Sequence, residues 1–200
     1  MSAQPPLWVQ GPQQQPPKSG FPTWALVLLI GGGAFVIFGG VLASLAIYGV
    51  RKYIATAKTA EARNTVGQLA KDAAAAYETE RTTAHGGSAR RLCASASRPV
   101  PASMSSVKGM KYQSAADEWT VDAPRNAGFA CLRFSMNMPQ YYRYTYRATG
   151  GSSPGDTFEA IAEGDLNGDG VTSEFRLAGT LGDDRALSVS PTIQEKDPQE

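Results

Sequence analysis

The sequence predicts an α+β protein in which one long N-terminal helix, apolar in its first half and amphipathic in its second, packs on a small antiparallel sheet. Three observations carry that prediction. No charged residue occurs from Ser19 to Val50, a stretch of 32 positions. Apolar residues then recur at spacings of three and four as far as Tyr77, and from Phe129 onward the period falls to two.

The charge count is balanced, with 19 Lys+Arg against 18 Asp+Glu in 200 residues. Lys18 is the only charge before Arg51, so the part beyond the apolar stretch carries 18 of each sign. A dedicated nucleic-acid binder is usually strongly basic, and no nucleic-acid partner is expected.

Residues 1–20 hold five Pro and five Gln, a composition that buries too little apolar surface to offset the entropy of ordering, and they read as a disordered tail or a leader. They lack the short basic start and the small-residue cleavage site of a secretory signal. Residues 21–50 read as a transmembrane helix, because the 27 residues Trp24 to Val50 suffice at about 1.5 Å each to cross a hydrocarbon core of about 30 Å. Glycines are tolerated there, and Gly39 with Ala43 and Gly40 with Ser44 form small-xxx-small pairs. Such pairs serve either as bilayer-tolerated composition or as a face on which helices pack closely.

Residues 51–85 continue the helix into water. Ala62, Val66, Leu69, Ala70, Ala73, Ala76 and Tyr77 make a narrow stripe of mostly small residues on one face. The head, residues 86–180, begins with an irregular segment as far as Gly128 that reads as surface. Four strands follow as an antiparallel meander: Phe129 to Met136, Tyr141 to Arg147, Phe158 to Glu163 and Val171 to Ala178. In the second, Tyr142, Tyr144 and Tyr146 share one face, with Arg143 and Arg147 on the other. Aromatic residues at strand spacing beside a helix read as core rather than as a stacking platform for nucleic acid. Residues 181–200 read as a flexible polar tail.

The helix around YGVRKYIATAKTAEARNTVGQLAKDAAAAYE, Tyr48 to Glu78, with the sheet region Cys93 to Gly179 more loosely, resembles the type IV pilin and pilin-like family. Lys18-Ser19-Gly20-Phe21 is similar to the family's prepilin processing point, a basic residue shortly before Gly and Phe. The sequence departs from the family at two places: Ala25 stands where pilins usually carry a glutamate, and Pro22 follows Phe21 directly. The resemblance implies a structural subunit of a type IV pilus or related type II secretion filament. Its partners would be the membrane and copies of itself or other pilins, met through the N-terminal helix. The alternative is a single-pass envelope protein whose pilin-like head, with or without calcium, never polymerises. Lys18 stands before the apolar stretch and Arg51, Lys52, Lys58 and Arg63 after it, so simple counting of Lys and Arg favours a cytoplasmic head. The resemblance and the cysteine pair favour a head outside the bacterial inner membrane, on a surface filament if it assembles, and that is the expectation.

Cys93 and Cys131 lie 38 positions apart in a small, loop-rich head, and they read as a disulfide, with two buried thiols as the alternative. Asp165, Asn167, Asp169 and the Val171 carbonyl reproduce the opening of a calcium loop, D-x-N-x-D-G, in which oxygens at alternate positions point inward. The twelfth position, where a bidentate acid belongs, is Arg176; Glu174, Glu163, Asp183 or Asp184 would have to complete the shell. The alternative is a hairpin turn that uses Asn-Gly and Asp-Gly for their left-handed backbone tolerance and needs no ion. His85 has no Ser, Cys or carboxylate at a motif spacing, and no nucleophile elbow, phosphate loop or zinc signature occurs. No enzymatic activity is expected.

Overall fold

A computed structural model describes Gly20 and residues 22–82 and 88–198. Helix α1 runs unbroken through Thr23–Glu78. The chain divides into two units, one ending at Tyr48 and one spanning Gly49–Glu200. A two-residue pair follows the helix, β1 (Arg81–Thr82) with β2 (Ser88–Ala89). A 3₁₀ turn at Met104–Val107 and two short helices, α2 (Ala116–Thr120) and α3 (Gly128–Leu132), precede the sheet. Its strands are β3 (Arg143–Thr149), β4 (Thr157–Gly164), β5 (Ser173–Leu181), β6 (Leu187–Val189) and β7 (Gln194–Lys196). The architecture is α+β, a long helix on a small antiparallel sheet, as the period change predicts.

The core forms where the helix stripe meets the tyrosine row. Ala62, Val66, Leu69, Ala70, Ala73 and Tyr77 are buried, and so are Tyr142, Tyr144 and Tyr146. Small residues on the helix let its backbone come close to the large rings of the sheet, so the volumes interdigitate without voids. Within the Gly49–Glu200 unit, the first buried residue of α1 is Thr59 and the last is Tyr77, whose hydroxyl donates to the Arg185 carbonyl at 2.7 Å.

Three sequence expectations are corrected here. The stretch Phe129 to Met136 is not a strand but α3 and its exit. Gly128 adopts φ +53°, where a Cβ would lie 2.7 Å from Ala96 Cα, so the backbone turns at a residue without a side chain. After one and a half turns Arg133 goes left-handed, and a Schellman pair closes the helix: Arg133 N–H donates to the Ala130 carbonyl at 3.2 Å and Phe134 N–H to that of Phe129 at 3.0 Å. The apparent alternation fails because Cys131, on its supposed outer face, is pulled inward beside Leu132.

The segment from Gly86 to Gly128 is not confined to the surface, since Leu92, Val100 and Trp119 are buried in it. Trp119 packs edge-on against Phe129 and Phe134, with ring centroids at 4.9 and 5.3 Å, and its indole N–H donates to Ser114 Oγ at 2.9 Å. Residues 187–196, expected as part of a flexible tail, supply β6 and β7, both paired to β5. β7 holds no apolar residue and β6 spans only three residues, too short for a period to stand out; Leu187 and Val189 pack half-buried against the core, and β7 is tied to α1 by the ion pair of Glu195 with Arg63.

Candidate functional site

Two regions hold the residues singled out by sequence, and they are chemically unlike. The first is the apolar part of α1. None of its most apolar window is buried, and it is long and apolar enough to cross a membrane. Gly39, Gly40, Ala43 and Ser44 are exposed there, with nothing within 4 Å of a Cβ built on either glycine. Ser44 spends its hydroxyl on the Val41 carbonyl at 2.8 Å, which leaves no polar group projecting from that small-residue face. Gly20 is exposed ahead of the helix, while Phe21, like Lys18 and His85, lies outside the described residues.

The second region is the β4–β5 connection. Asp165 is only 4% exposed, and its two oxygens accept from Gly168 N–H at 2.7 Å and Gly170 N–H at 2.9 Å. Asn167 Oδ1 accepts from Asp169 N–H at 2.9 Å, and Asp169 Oδ1 from Val171 N–H at 2.7 Å. Gly168 and Gly170 have φ of +82° and +100°, a left-handed backbone that strains residues with a side chain and that glycine adopts freely. The loop therefore folds on its own side-chain oxygens, in the manner of successive Asx turns.

As a calcium loop the fit is partial. The first half has the inward oxygens, but Glu174 is in β5 and engaged by Arg176 at 2.7 Å, and Glu163 is engaged by Arg143 at 2.6 Å. Asp183 and Asp184 follow β5, at the opposite end of the sheet from the loop. Lys108 Nζ approaches within 3.9 Å of a Cβ built on Gly170, which brings a cation rather than a third acidic ligand to the loop. The Asx turns hold the loop's shape without an ion.

Cys93 and Cys131 form a disulfide with Cα atoms 5.9 Å apart. It joins the extended segment before β3 to α3, behind the tyrosine row, where Tyr146 hydroxyl donates to the Cys93 carbonyl at 3.3 Å.

Glu61 is the residue that sequence reasoning passed over. Its Oε1 accepts from Tyr141 N–H at 2.8 Å and from Tyr144 hydroxyl at 3.0 Å. Burial pushes its carboxyl above the ordinary glutamate value, and the bonds from Tyr141 and Tyr144 and the Lys111 charge pull it back only in part. The available signal was spacing: Glu61, Thr65 and Leu69 follow one another at four residues, on the flank of the buried stripe.

The β3 edge of the sheet is covered, and the opposite edge is made by two three-residue strands, β6 and β7. Along β3, Val100 exchanges backbone hydrogen bonds with Tyr144 at 2.8 and 3.0 Å, and Ala96 N–H donates to the Tyr146 carbonyl at 3.0 Å. Along β5, β6 covers Gly179 to Leu181 and β7 covers Glu174 to Arg176.

No family model matches the chain, and neither a curated protein nor a solved structure is significantly similar to it.

Proposed function

We propose that this chain is a membrane-held structural subunit, a pilin-like protein that assembles with copies of itself or other pilins by packing N-terminal helices. The observation that carries the reading is α1 itself: one helix of 56 residues whose later turns are a wall of the head's core, while among the described residues nothing covers its apolar early turns. A helix that apolar is stable in lipid or against other helices of its kind, and small residues such as Gly39 and Gly40 permit close approach.

The covered β3 edge and the shortness of the β6 and β7 edge strands support the same route. Strand addition needs a free row of backbone donors and acceptors, so association through the uncovered helix is favoured over association through the sheet. In this reading the head stands outside the bacterial inner membrane, where its disulfide is stable.

The test is the intact mass of the chain from native membranes and from sheared surface fractions, with and without reductant. A chain beginning at Phe21 in the sheared fraction is the expected result. A full-length chain confined to membranes would make α1 a permanent anchor and overturn assembly.

A further inference from the structure

Three loops of the Gly49–Glu200 unit meet at the end where α1 enters it. Gly109 N–H donates to the Asp165 carbonyl at 2.7 Å, which fastens residues 108–111 to the β4–β5 loop. Tyr112 and Gln140 exchange backbone hydrogen bonds at 2.8 Å, which fastens the same segment to residues 137–141. Tyr141 then receives Lys111 from that segment and Lys58 from α1, their ammonium groups 4.8 and 4.7 Å from its ring centroid. One position after Lys58, Thr59 is already buried, so this cluster lies beside the helix where it passes into the head.

The surface of the cluster is unusual for this protein. Beyond Ile54, four large apolar side chains are exposed among the described residues, and three of them are here: Met110 (58% exposed), Met138 (73%) and Val171 (49%). Lys108 and Lys111 are exposed between them, and Arg51 and Lys52 are exposed on the incoming turns of α1. Of the carboxylates at this end, Asp165 and Asp169 accept from amides of their loop, Glu61 accepts from Tyr141 and Tyr144 and feels the Lys111 charge, and Asp197 is exposed just after β7; the basic side chains Arg51, Lys52, Lys58, Lys108 and Lys111 outnumber them. Apolar tips beside a local excess of basic side chains match a bilayer interface, where methionine and valine enter the acyl boundary and ammonium groups meet phosphates.

We infer that this end of the head docks on the bilayer that α1 crosses, with Met110, Met138 and Val171 in the interfacial layer and Lys108, Lys111 and Lys58 on anionic headgroups. The inference rests on the membrane-crossing part of the proposed function and not on filament assembly. Docking would hold the head against the lipid surface while the chain is membrane-held, and any release of the chain from the membrane would have to break it.

The test uses the full chain reconstituted in vesicles of phosphatidylcholine, with and without phosphatidylglycerol. Amide exchange is followed at residues 108–112, 137–141 and 167–171, with the turn at 150–156, at the other end of the sheet, as reference. Slower exchange in those three loops only, and only with phosphatidylglycerol present, is expected. Lys108→Gln and Lys111→Gln should each reduce the protection about fivefold, and Met110→Ser with Met138→Ser should reduce it in the same loops. These side chains are exposed, and unchanged exchange in β4 and β5 verifies that the fold is kept. Equal exchange in the two vesicle types, or protection indifferent to the lysine changes, overturns the inference and leaves the assembly question untouched.

Discussion

Tyr144 hydroxyl and Glu61 Oε1 meet at 3.0 Å, joining the sheet's buried tyrosine row to the flank of the helix stripe. The same oxygen accepts Tyr141 N–H, so one carboxylate satisfies a buried hydroxyl and a strand-entry amide together. Replacing Glu61 by Ala should destabilise the head by about 1–3 kcal/mol, because both donors lose their acceptor. Glu61→Gln keeps an acceptor and removes a charge that burial disfavours. The carboxyl lies above its ordinary value of 4.5, so the penalty on its charged form is present at neutral pH and is relieved as the pH falls through the raised value. Urea unfolding should show wild type gaining on Glu61→Gln as the pH falls from neutral through the raised value to 4.5; a gap that stays constant would contradict the assignment.

Glu195 of β7, held by Arg63 of the same helix, is shifted the opposite way. Its hydrogen bonds from Arg63, at 2.6 and 2.9 Å, hold its carboxyl below the ordinary range. Its contribution is present above pH 4.5 and is lost as the pH falls through the lowered folded value. The pair is partly exposed, so Glu195→Gln should cost no more than about 0.5–1 kcal/mol at neutral pH. The loss should vanish in acid, and faster amide exchange in β7 is the direct readout.

Tyr142 and Tyr144 should respond differently to loss of their hydroxyls. Both rings are buried, but Tyr142 hydroxyl has no hydrogen-bond partner and Tyr144 has Glu61. Ser173, beside it, donates its hydroxyl to the Gly164 carbonyl. Tyr142→Phe is therefore expected to be neutral or stabilising, and Tyr144→Phe to cost about 1 kcal/mol. Denaturant midpoints of the two variants decide it.

The bridge between Cys93 and Cys131 closes a loop of 38 residues. Its removal as the double Ser variant should cost about 2–4 kcal/mol, chiefly by freeing the unfolded chain. The loss should appear in chemical denaturation without change in the far-ultraviolet spectrum of the native state.

In the β4–β5 loop, Asp165 is buried on two amides and Asp169 is exposed on one. Asp165→Ala should cost about 1–3 kcal/mol and Asp169→Ala distinctly less. Since the loop's amides already hold it, the melting temperature in chelator should match that in calcium. A large rise with calcium would show that the partial ligand set closes around the ion.

The sequence by itself determined the elements whose periods are long and unmixed. A charge-free run fixes the apolar half of α1, a small-residue stripe fixes the face of its continuation, and three alternating tyrosines fix the buried side of β3, because each pattern repeats often enough to outweigh local accidents. Tertiary structure alone decided the rest. The residues from Phe129 to Phe134 alternate as a strand would, yet Gly128, left-handed Arg133 and the bridge to Cys93 wind them into α3. Gln194 to Lys196 have no apolar period at all, and they form β7 because β5 offers backbone donors and acceptors and Arg63 receives Glu195. Glu61 reads as a solvated helix charge until β3 brings Tyr144 to it from 83 residues away. Contacts of that kind join residues distant in the chain, and a local pattern carries no record of them.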